Sequence, residues 1–156
     1  MAVVAVACSD NGEAAMSAEL ISVLTDPAIQ TAGDFDSTAV TIRTQKGRLC
    51  QINTTRRAAY GYDQRFEVLG STGLLQCGNH TPTEVVQWNA AGIHADKPEA
   101  FFLQRYAAAY RLEMEHFFEC LQSGAPFRTT VADGVAAQKL ADAATQSATT
   151  GQAVQF

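Results

Sequence analysis

The sequence predicts an α+β domain with an open, mostly antiparallel sheet and helices packed on one of its faces. Apolar and polar residues alternate as in strands over much of residues 37–88, whereas apolar residues recur every three or four positions in residues 99–149. Strands that precede helices, rather than alternating with them, are typical of α+β domains. The length of 156 residues fits a single domain, residues 1–156.

The composition excludes some classes of protein. The net charge of -5 argues against non-specific nucleic-acid binding, which needs a basic face. No apolar run approaches the roughly 20 residues of a membrane span. The apolar residues 1–8 lack the basic leader of a secretory signal, so they are interpreted as a first strand. We therefore expect a cytoplasmic protein with neither nucleic acid nor membrane as a partner.

Cysteine and histidine usage gives no sign of a metal site. None of the cysteines forms a C-x-x-C pair, and an apolar pattern surrounds three of them, which favours buried free thiols over disulfides. The histidines share no metal-ligand spacing. The cysteines are Cys8, Cys50, Cys77 and Cys120, and the histidines are His80, His94 and His116.

Several strands are predicted before the helices. They cover residues 19–24, 38–44, 48–53, 64–70, 74–77 and 83–88. Gly47 can adopt positive φ in the turn that joins the second and third of these, which makes them a hairpin. From residue 38 onward we expect an antiparallel meander of at least five strands, with residues 29–35 as an irregular connection before it.

Two helices are predicted to follow. Residues 99–123 contain neither Pro nor Gly and have one apolar face, so they should form one amphipathic helix that Gly124 ends. Thr130 and Asp133 have capping-box spacing, which begins a second helix that runs to about residue 149 before Gly151. Residues 152–156 are expected to add a last edge strand.

Helices on one face would leave the other face of this sheet uncovered. That face would expose Ala39, Leu49 and Leu69. Because large apolar patches are rare on monomers, a second layer is expected from a partner subunit or another domain. We therefore expect self-association through the open sheet face, as a dimer or a tetramer.

Residues 53–65 form the densest polar cluster, between two predicted strands. They include three arginines, two tyrosines, an Asp, a Gln and an Asn. One interpretation is a solvated connection with half-buried tyrosines. The other is a pocket for a polyol or sugar, because tyrosine hydroxyls and fixed Arg or Asn donors suit a ligand rich in hydroxyl groups.

The sequence contains no complete catalytic constellation. It has no glycine-rich phosphate loop and no G-x-S-x-G elbow. Glu113, Glu115 and Glu119 are interpreted as a solvated helix face rather than as an acid and base pair. No catalytic residue, cofactor-binding residue or metal ligand is therefore predicted in this chain.

Several segments resemble a known family. The most specific is Y-G-Y-D-Q-R within R-R-A-A-Y-G-Y-D-Q-R-F-E-V-L-G at 56–70, preceded by G-D-F-D-S-T-A-V at 33–40. F-F-L-Q-R-Y at 101–106, D-G at 133–134 and L-A-D-A-A at 140–144 agree with it. Over residues 20–156 the chain resembles the C-terminal domain of inositol 2-dehydrogenases, which belong to the Gfo/Idh/MocA oxidoreductases.

The resemblance implies a substrate-binding and oligomerisation domain. Its fold would be similar to the C-terminal domain of glyceraldehyde-3-phosphate dehydrogenase, with the open sheet face against another subunit. NAD or NADP is expected for the full-length family and no cofactor in this chain, because the N-terminal Rossmann domain and the segments with the catalytic Lys, Asp and His are absent from the sequence. The isolated chain should therefore be inactive.

Four residues are the candidates for substrate binding. Tyr60 and Tyr62 are expected to contact the polyol, and Arg56 and Asp63 to shape the pocket. An alternative is a stand-alone module, either self-associating or polyol-binding, that performs no catalysis.

Overall fold

The computed structural model describes residues 2–6, 17–24 and 26–155, the first two ranges through their strand pairing alone. In these residues the strands are β1 (Ala2–Val6), β2 (Ser17–Leu24), β3 (Ser37–Arg43), β4 (Leu49–Thr55), β5 (Asp63–Gly70), β6 (Gly73–Cys77), β7 (Val86–Asn89), β8 (Gly92–Ala95) and β9 (Val154–Gln155). The helices are α1 (Pro27–Thr31), α2 (Phe102–Arg105), α3 (Ala107–Ser123) and α4 (Val131–Thr150).

Seven of these strands form one sheet in the order β6-β5-β1-β4-β3-β2-β9, and β7 and β8 form a separate ribbon. Among the described strands, β1 and β5 are the parallel pair, and the other pairs are antiparallel. The predicted α+β fold with a mostly antiparallel sheet is therefore confirmed. The predicted edge strand at the end of the chain is β9, which pairs with β2.

The predicted meander is wrong at two points. The predicted strand at 83–88 corresponds to β7, which pairs with β8 outside this sheet, and β1 lies between β4 and β5. Ala2 of β1 is opposite Thr55 of β4 on one side and Asp63 of β5 on the other. Residues 56–62 therefore cross the end of an inserted strand, a gap of roughly 10 Å that a tight hairpin turn does not span. The predicted hairpin of β3 and β4 is confirmed, with Ile42 opposite Cys50.

Two local predictions also need correction. The connection after residue 26 begins with a helix, because Asp26 accepts a hydrogen bond from the N–H of Ala28 (2.8 Å) and Pro27 occupies the first helical position. The long helix is broken at Tyr106, whose φ of -107° and ψ of 10° separate α2 from α3. Gly124 ends α3 with φ 70°, as predicted.

The second long helix follows the prediction closely. Thr130 and Asp133 form the capping box of α4, and Gly151 ends it with φ 65°. The helix packs against β2 and β9. Ala143 and Ser147 of α4 are buried.

The two faces of the sheet differ in burial. Ile42 is buried on one face, whereas Ala39, Leu49 and Leu69 lie on the other, as the strand register requires. Leu49 and Leu69 are exposed. This open face is the one that the sequence predicted to be uncovered.

Helix α3 also leaves much of its apolar surface exposed. Its described contacts are mainly with α2, and it has no comparable packing against a strand in the described part of the chain. The exposed large side chains of α3 are Tyr110, Leu112, Met114, Phe117, Phe118 and Leu121. The total accessible surface is 11352 Å², whereas a compact monomer of this mass is expected to have about 7,600 Å².

Among the described cysteines, Cys77 and Cys120 are free thiols. Cys120 is buried, as predicted, but Cys50 and Cys77 are only half-buried; Cys8 lies outside the described residues. Residues 26–155 and the two described strands before them contain no group of three His, Cys, Asp or Glu arranged for a metal ion. None of the helices described above is long and apolar enough to cross a membrane.

Candidate functional site

The loop of residues 56–62 joins β4 to β5 and is anchored by a buried carboxylate near each end. Asp36, just before β3, is 4% exposed, and Asp63, the first residue of β5, is 1% exposed. Buried carboxylates are stable only with hydrogen-bonded partners. The partners of these two residues therefore define how the loop is fixed.

Asp63 accepts four hydrogen bonds from three side chains. Its Oδ2 accepts from the Tyr60 hydroxyl (2.6 Å) and from Arg65 Nη2 (2.9 Å). Its Oδ1 accepts from Arg65 Nε (2.7 Å) and from Asn79 Nδ2 (2.6 Å). Asn79 also accepts the backbone N–H of Gln64 through its Oδ1 (2.8 Å), so it fixes both the carboxylate and the start of β5.

These contacts determine the charge state of Asp63. Hydrogen bonds from Arg65, then from Tyr60 and Asn79, hold the pKa of the Asp63 carboxyl far below its usual range, although burial opposes them. The hydrogen bond that the Tyr60 hydroxyl donates to Asp63 raises the pKa of Tyr60. Asp63 is therefore an ionised anchor, and it is unsuited to accepting a proton near neutral pH.

Asp36 anchors the other end of the loop. Its Oδ2 accepts from Arg57 Nε (3.0 Å) and from the Asp26 N–H (3.1 Å), and its backbone carbonyl accepts from the Arg56 N–H (2.8 Å). Arg57 also donates to the Asp26 carboxylate. A hydrogen bond from the Ala28 N–H, followed by the one from Arg57, lowers the pKa of Asp26. Asp36 Oδ1 is buried with no partner among the described residues.

The side chain of Arg56, unlike its backbone N–H, takes no part in this anchor. Its guanidinium donates to Asp34 at 2.6 Å, and the two side chains are 57% and 52% exposed. An exposed ion pair of this kind contributes little stability. Arg56 therefore belongs to the solvated edge of the loop.

The tip of the loop is packed against residues 98–106. Gly61 has φ 140°, and a Cβ atom there would lie 2.7 Å from the Pro98 carbonyl oxygen, so a glycine is required. The Tyr62 N–H donates to the Glu99 carbonyl at 2.7 Å. The Tyr62 ring meets the Tyr106 ring edge to face, with centroids 5.6 Å apart. The loop and the break before α3 therefore position each other.

Tyr106 continues this aromatic contact onto α3. Its ring is edge-on to that of Tyr110 at 6.2 Å, and the Arg105 guanidinium lies 5.6 Å from its centroid. Burial, with a hydrogen bond to Tyr62, raises the pKa of Tyr106 to about 12. A run of three tyrosine rings, Tyr62, Tyr106 and Tyr110, therefore extends from the loop to the first turn of α3.

The structure brings three of the four predicted site residues together. Tyr60 and Asp63 are hydrogen-bonded, Tyr62 is adjacent but bonded to Tyr106, and Arg56 lies apart with Asp34. Sequence reasoning did not assign roles to Asp36, Arg57, Arg65, Asn79 and Tyr106. Most of these lie within the segments that carry the family resemblance. Asn79 has no local signal, because it lies two residues after β6 and only the fold brings it beside β5.

The arrangement is suited to binding rather than to dinucleotide chemistry. Phenol and guanidinium groups can bind a ligand rich in hydroxyls. In the described ranges, the glycines with positive φ are isolated residues in loops or at helix ends, and the first turn of α4 carries Asp133, which would repel a pyrophosphate. The start of α4 is therefore unsuited to binding a pyrophosphate.

Comparison with known proteins gives consistent matches. Residues 9–156 match the oxidoreductase family, C-terminal alpha/beta domain (Gfo/Idh/MocA). Inositol 2-dehydrogenase of Rhizobium meliloti is 41% identical over 126 residues, which is 81% of this chain and 38% of that protein. The scyllo-inositol 2-dehydrogenase (NAD(+)) of Bacillus subtilis is 31% identical over 135 residues, 86% of this chain and 39% of that protein.

A solved structure shows the same fold. The crystal structure of a myo-inositol dehydrogenase from Corynebacterium glutamicum superposes with a TM-score of 0.86 at 30% identity, covering 99% of this chain and 55% of that one. The chain spans about two fifths of the length of the two curated relatives.

Proposed function

Because this chain belongs to the Gfo/Idh/MocA oxidoreductase family, as its C-terminal α/β domain, we propose that it is the substrate-binding and oligomerisation domain of a cytoplasmic, inositol 2-dehydrogenase-like enzyme. The observation that carries the proposal is the 56–62 loop, which two buried carboxylates fix and which presents Tyr60 and Tyr62. The substrate class is a cyclic polyol.

The tyrosines have separate roles. The Tyr60 hydroxyl donates to Asp63, and its oxygen would accept a hydrogen bond from a ligand hydroxyl beside the one from Arg65. Tyr62 contacts the polyol from the tip of the loop, with its ring supported by Tyr106. Arg56 and Asp63 shape the pocket without touching the reacting carbon.

The chain orients the substrate and excludes water from one side of it. NAD or NADP, bound by another part of a complete enzyme, would accept the hydride from the carbon that bears a ring hydroxyl. The chain of 156 residues should therefore reduce no NAD or NADP by itself.

A fusion tests this role. Residues 1–156 are joined to the N-terminal part of the Rhizobium meliloti inositol 2-dehydrogenase in place of the segment they match. We expect the fusion to oxidise myo-inositol or another inositol with NAD or NADP, whereas the separate parts do not. A folded fusion that oxidises none of the inositols, together with an unfused chain that shows no binding to them by calorimetry, would contradict the proposal.

Site variants of the fusion test the individual residues. Tyr62→Phe should raise KM for the inositol about tenfold, the effect of losing one good hydrogen bond. Tyr110→Phe is the matched control, because it removes a phenol hydroxyl from the same aromatic run at a greater distance from the loop. Equal effects of the two substitutions would argue against ligand contact by Tyr62.

A second candidate is a non-catalytic, self-associating module, favoured by the exposed Leu49 and Leu69 on the open sheet face. Both candidates include association through that face. They differ in activity, so an active fusion eliminates the second. Light scattering across a dilution series tests for association through the open sheet face. A stable monomer at micromolar concentration would show that this association does not occur.

A further inference from the structure

The ribbon of β7 and β8 stands apart from the seven-stranded sheet. Its two strands pair with each other, and no other described element packs substantially against them. An isolated two-stranded ribbon is only marginally stable in water. We therefore expect another protein surface to pack against this ribbon.

The strand register gives the ribbon two different faces. Trp88 is directly opposite Ile93, and Val86 is opposite Ala95. Side chains of directly opposite residues point to the same side of a sheet, and alternate residues share a side. One face therefore carries these four apolar residues, while Gln87 and its partner His94 lie on the other.

The apolar face is open to solvent. Trp88 is 73% exposed and Ile93 is 60% exposed, and Val86 is exposed as well. Aromatic side chains bury roughly 150–250 Å² each when they are covered, so Trp88 dominates the gain that a cover would give. An exposed tryptophan on an apolar face is typical of an interaction surface.

We propose that this apolar ribbon face binds the same face of a second copy of the chain. A two-fold axis that lies between the faces and parallel to the strands places β7 of one copy over β8 of the other. Trp88 then packs on Ile93 of the second copy, and the reverse contact forms as well. The four side chains of the face carry no charge, so no like charges meet.

The charges at the base of the ribbon fit the same symmetry. Glu84 lies two residues before β7, and Lys97 lies two residues after β8. Both are exposed and at the same end of the ribbon. The axis that stacks β7 on β8 brings Glu84 of one copy towards Lys97 of the other, twice, which gives opposite charges at the rim.

The ribbon face alone is smaller than the roughly 800 Å² per partner of a standard interface. We therefore expect a reversible dimer in the micromolar range rather than a permanent one. This contact is separate from association through the open sheet face. With both contacts in use, dimers would assemble into tetramers.

The chain contains its own reporter, because Trp88 is its single tryptophan. On raising the protein concentration, its fluorescence emission should move to shorter wavelength and its quenching by acrylamide should fall, both reversibly on dilution. Light scattering on the same samples gives the mass. No substitution is needed for this first measurement.

Paired variants locate the contact. Ile93→Lys places a charge on the apolar face and should weaken the association that protects Trp88 by about tenfold or more. Gln87→Lys adds the same charge to the opposite face of the ribbon and should leave it unchanged. Leu69→Lys should weaken association through the sheet face but leave the concentration dependence of Trp88 unaltered.

Three results would overturn the proposal. One is an emission spectrum that is the same at every concentration, whether the chain is monomeric or associated. Another is association that shields Trp88 but responds equally to Ile93→Lys and Gln87→Lys. The third is loss of Trp88 shielding in Leu69→Lys, which would assign the effect to the sheet face.

Discussion

The Tyr60 hydroxyl donates a 2.6 Å hydrogen bond to Asp63, a carboxylate that is 1% exposed. The tyrosine ring itself is about half exposed. A side chain at the loop surface is thus oriented by an anion at the start of the adjacent strand. The loop conformation therefore depends on the charge of Asp63, which can be tested directly.

Asp63→Asn should destabilise the protein by about 2–4 kcal/mol, because Arg65, Tyr60 and Asn79 lose an ionised acceptor that is otherwise fully bonded. Urea unfolding followed by circular dichroism measures the change in the free energy of unfolding. Glu119→Gln is the control, since it removes one negative charge from the exposed surface of α3. A loss no larger than that of the control would show that the Asp63 network contributes little.

Stability should fall on acidification. The folded-state pKa of Asp63 is depressed, so its stabilising contribution is complete above the unfolded carboxyl pKa of about 3.9 and is lost as pH decreases towards the folded value. Asp26, Asp34 and Asp133 have lowered pKa values and act in the same direction. Urea unfolding at a series of pH values from neutral downward measures the slope. In Asp63→Asn that slope should be smaller, and an unchanged slope would remove Asp63 as a cause.

Gly61→Ala should be more damaging than Gly47→Ala. Both glycines have positive φ, but a Cβ at Gly61 would meet the Pro98 carbonyl oxygen at 2.7 Å, whereas one at Gly47 has open space. The excess cost should be about 1–3 kcal/mol, typical of overpacking against backbone. The comparison of urea midpoints measures this excess, to which the φ of 140° at Gly61 contributes together with the steric clash. Similar midpoints would mean that residues 98–99 can move away from the loop.

Arg57 should stabilise the protein more than the neighbouring Arg56 does. Arg57→Leu leaves the buried Asp36 without its cationic partner, whereas Arg56→Leu removes only an exposed pair with Asp34. We expect the larger drop in the urea midpoint, and faster amide hydrogen exchange in residues 56–62, for Arg57→Leu. The two substitutions change charge and size equally. Equal effects would contradict the assignment of Asp36 and Arg57 as the loop anchor.

The structural features that could be predicted from the sequence are those that residues close together in the chain determine. The β3–β4 hairpin has alternating residues around Gly47, and α4 has a cap at each end, at Thr130 and Gly151. The polar cluster around Tyr60 and Tyr62 was identified as a candidate site from its composition. In these cases neighbouring residues along the chain supply the physical cause.

Long-range pairing could not be predicted in the same way. The insertion of β1 between β4 and β5 depends on contacts between residues 45 to 61 positions apart. The role of Asn79 depends on β6 returning beside β5, and the break at Tyr106 coincides with the contact between its ring and Tyr62. β8 was missed because residues 92–95 are short and have a clear partner only in β7.

The position of β1 also has a consequence for how the chain folds. The β3–β4 and β5–β6 hairpins can each form from nearby residues, whereas the pairing of β1 is complete only when a strand of each hairpin lies beside it. Such non-local pairing is characteristic of slow folding, on the millisecond to second scale. Until β1 inserts, β4 and β5 each present an unpaired edge, and another chain could pair with either one. Insertion of β1 between β4 and β5 therefore removes two edges at which strand exchange or aggregation could begin.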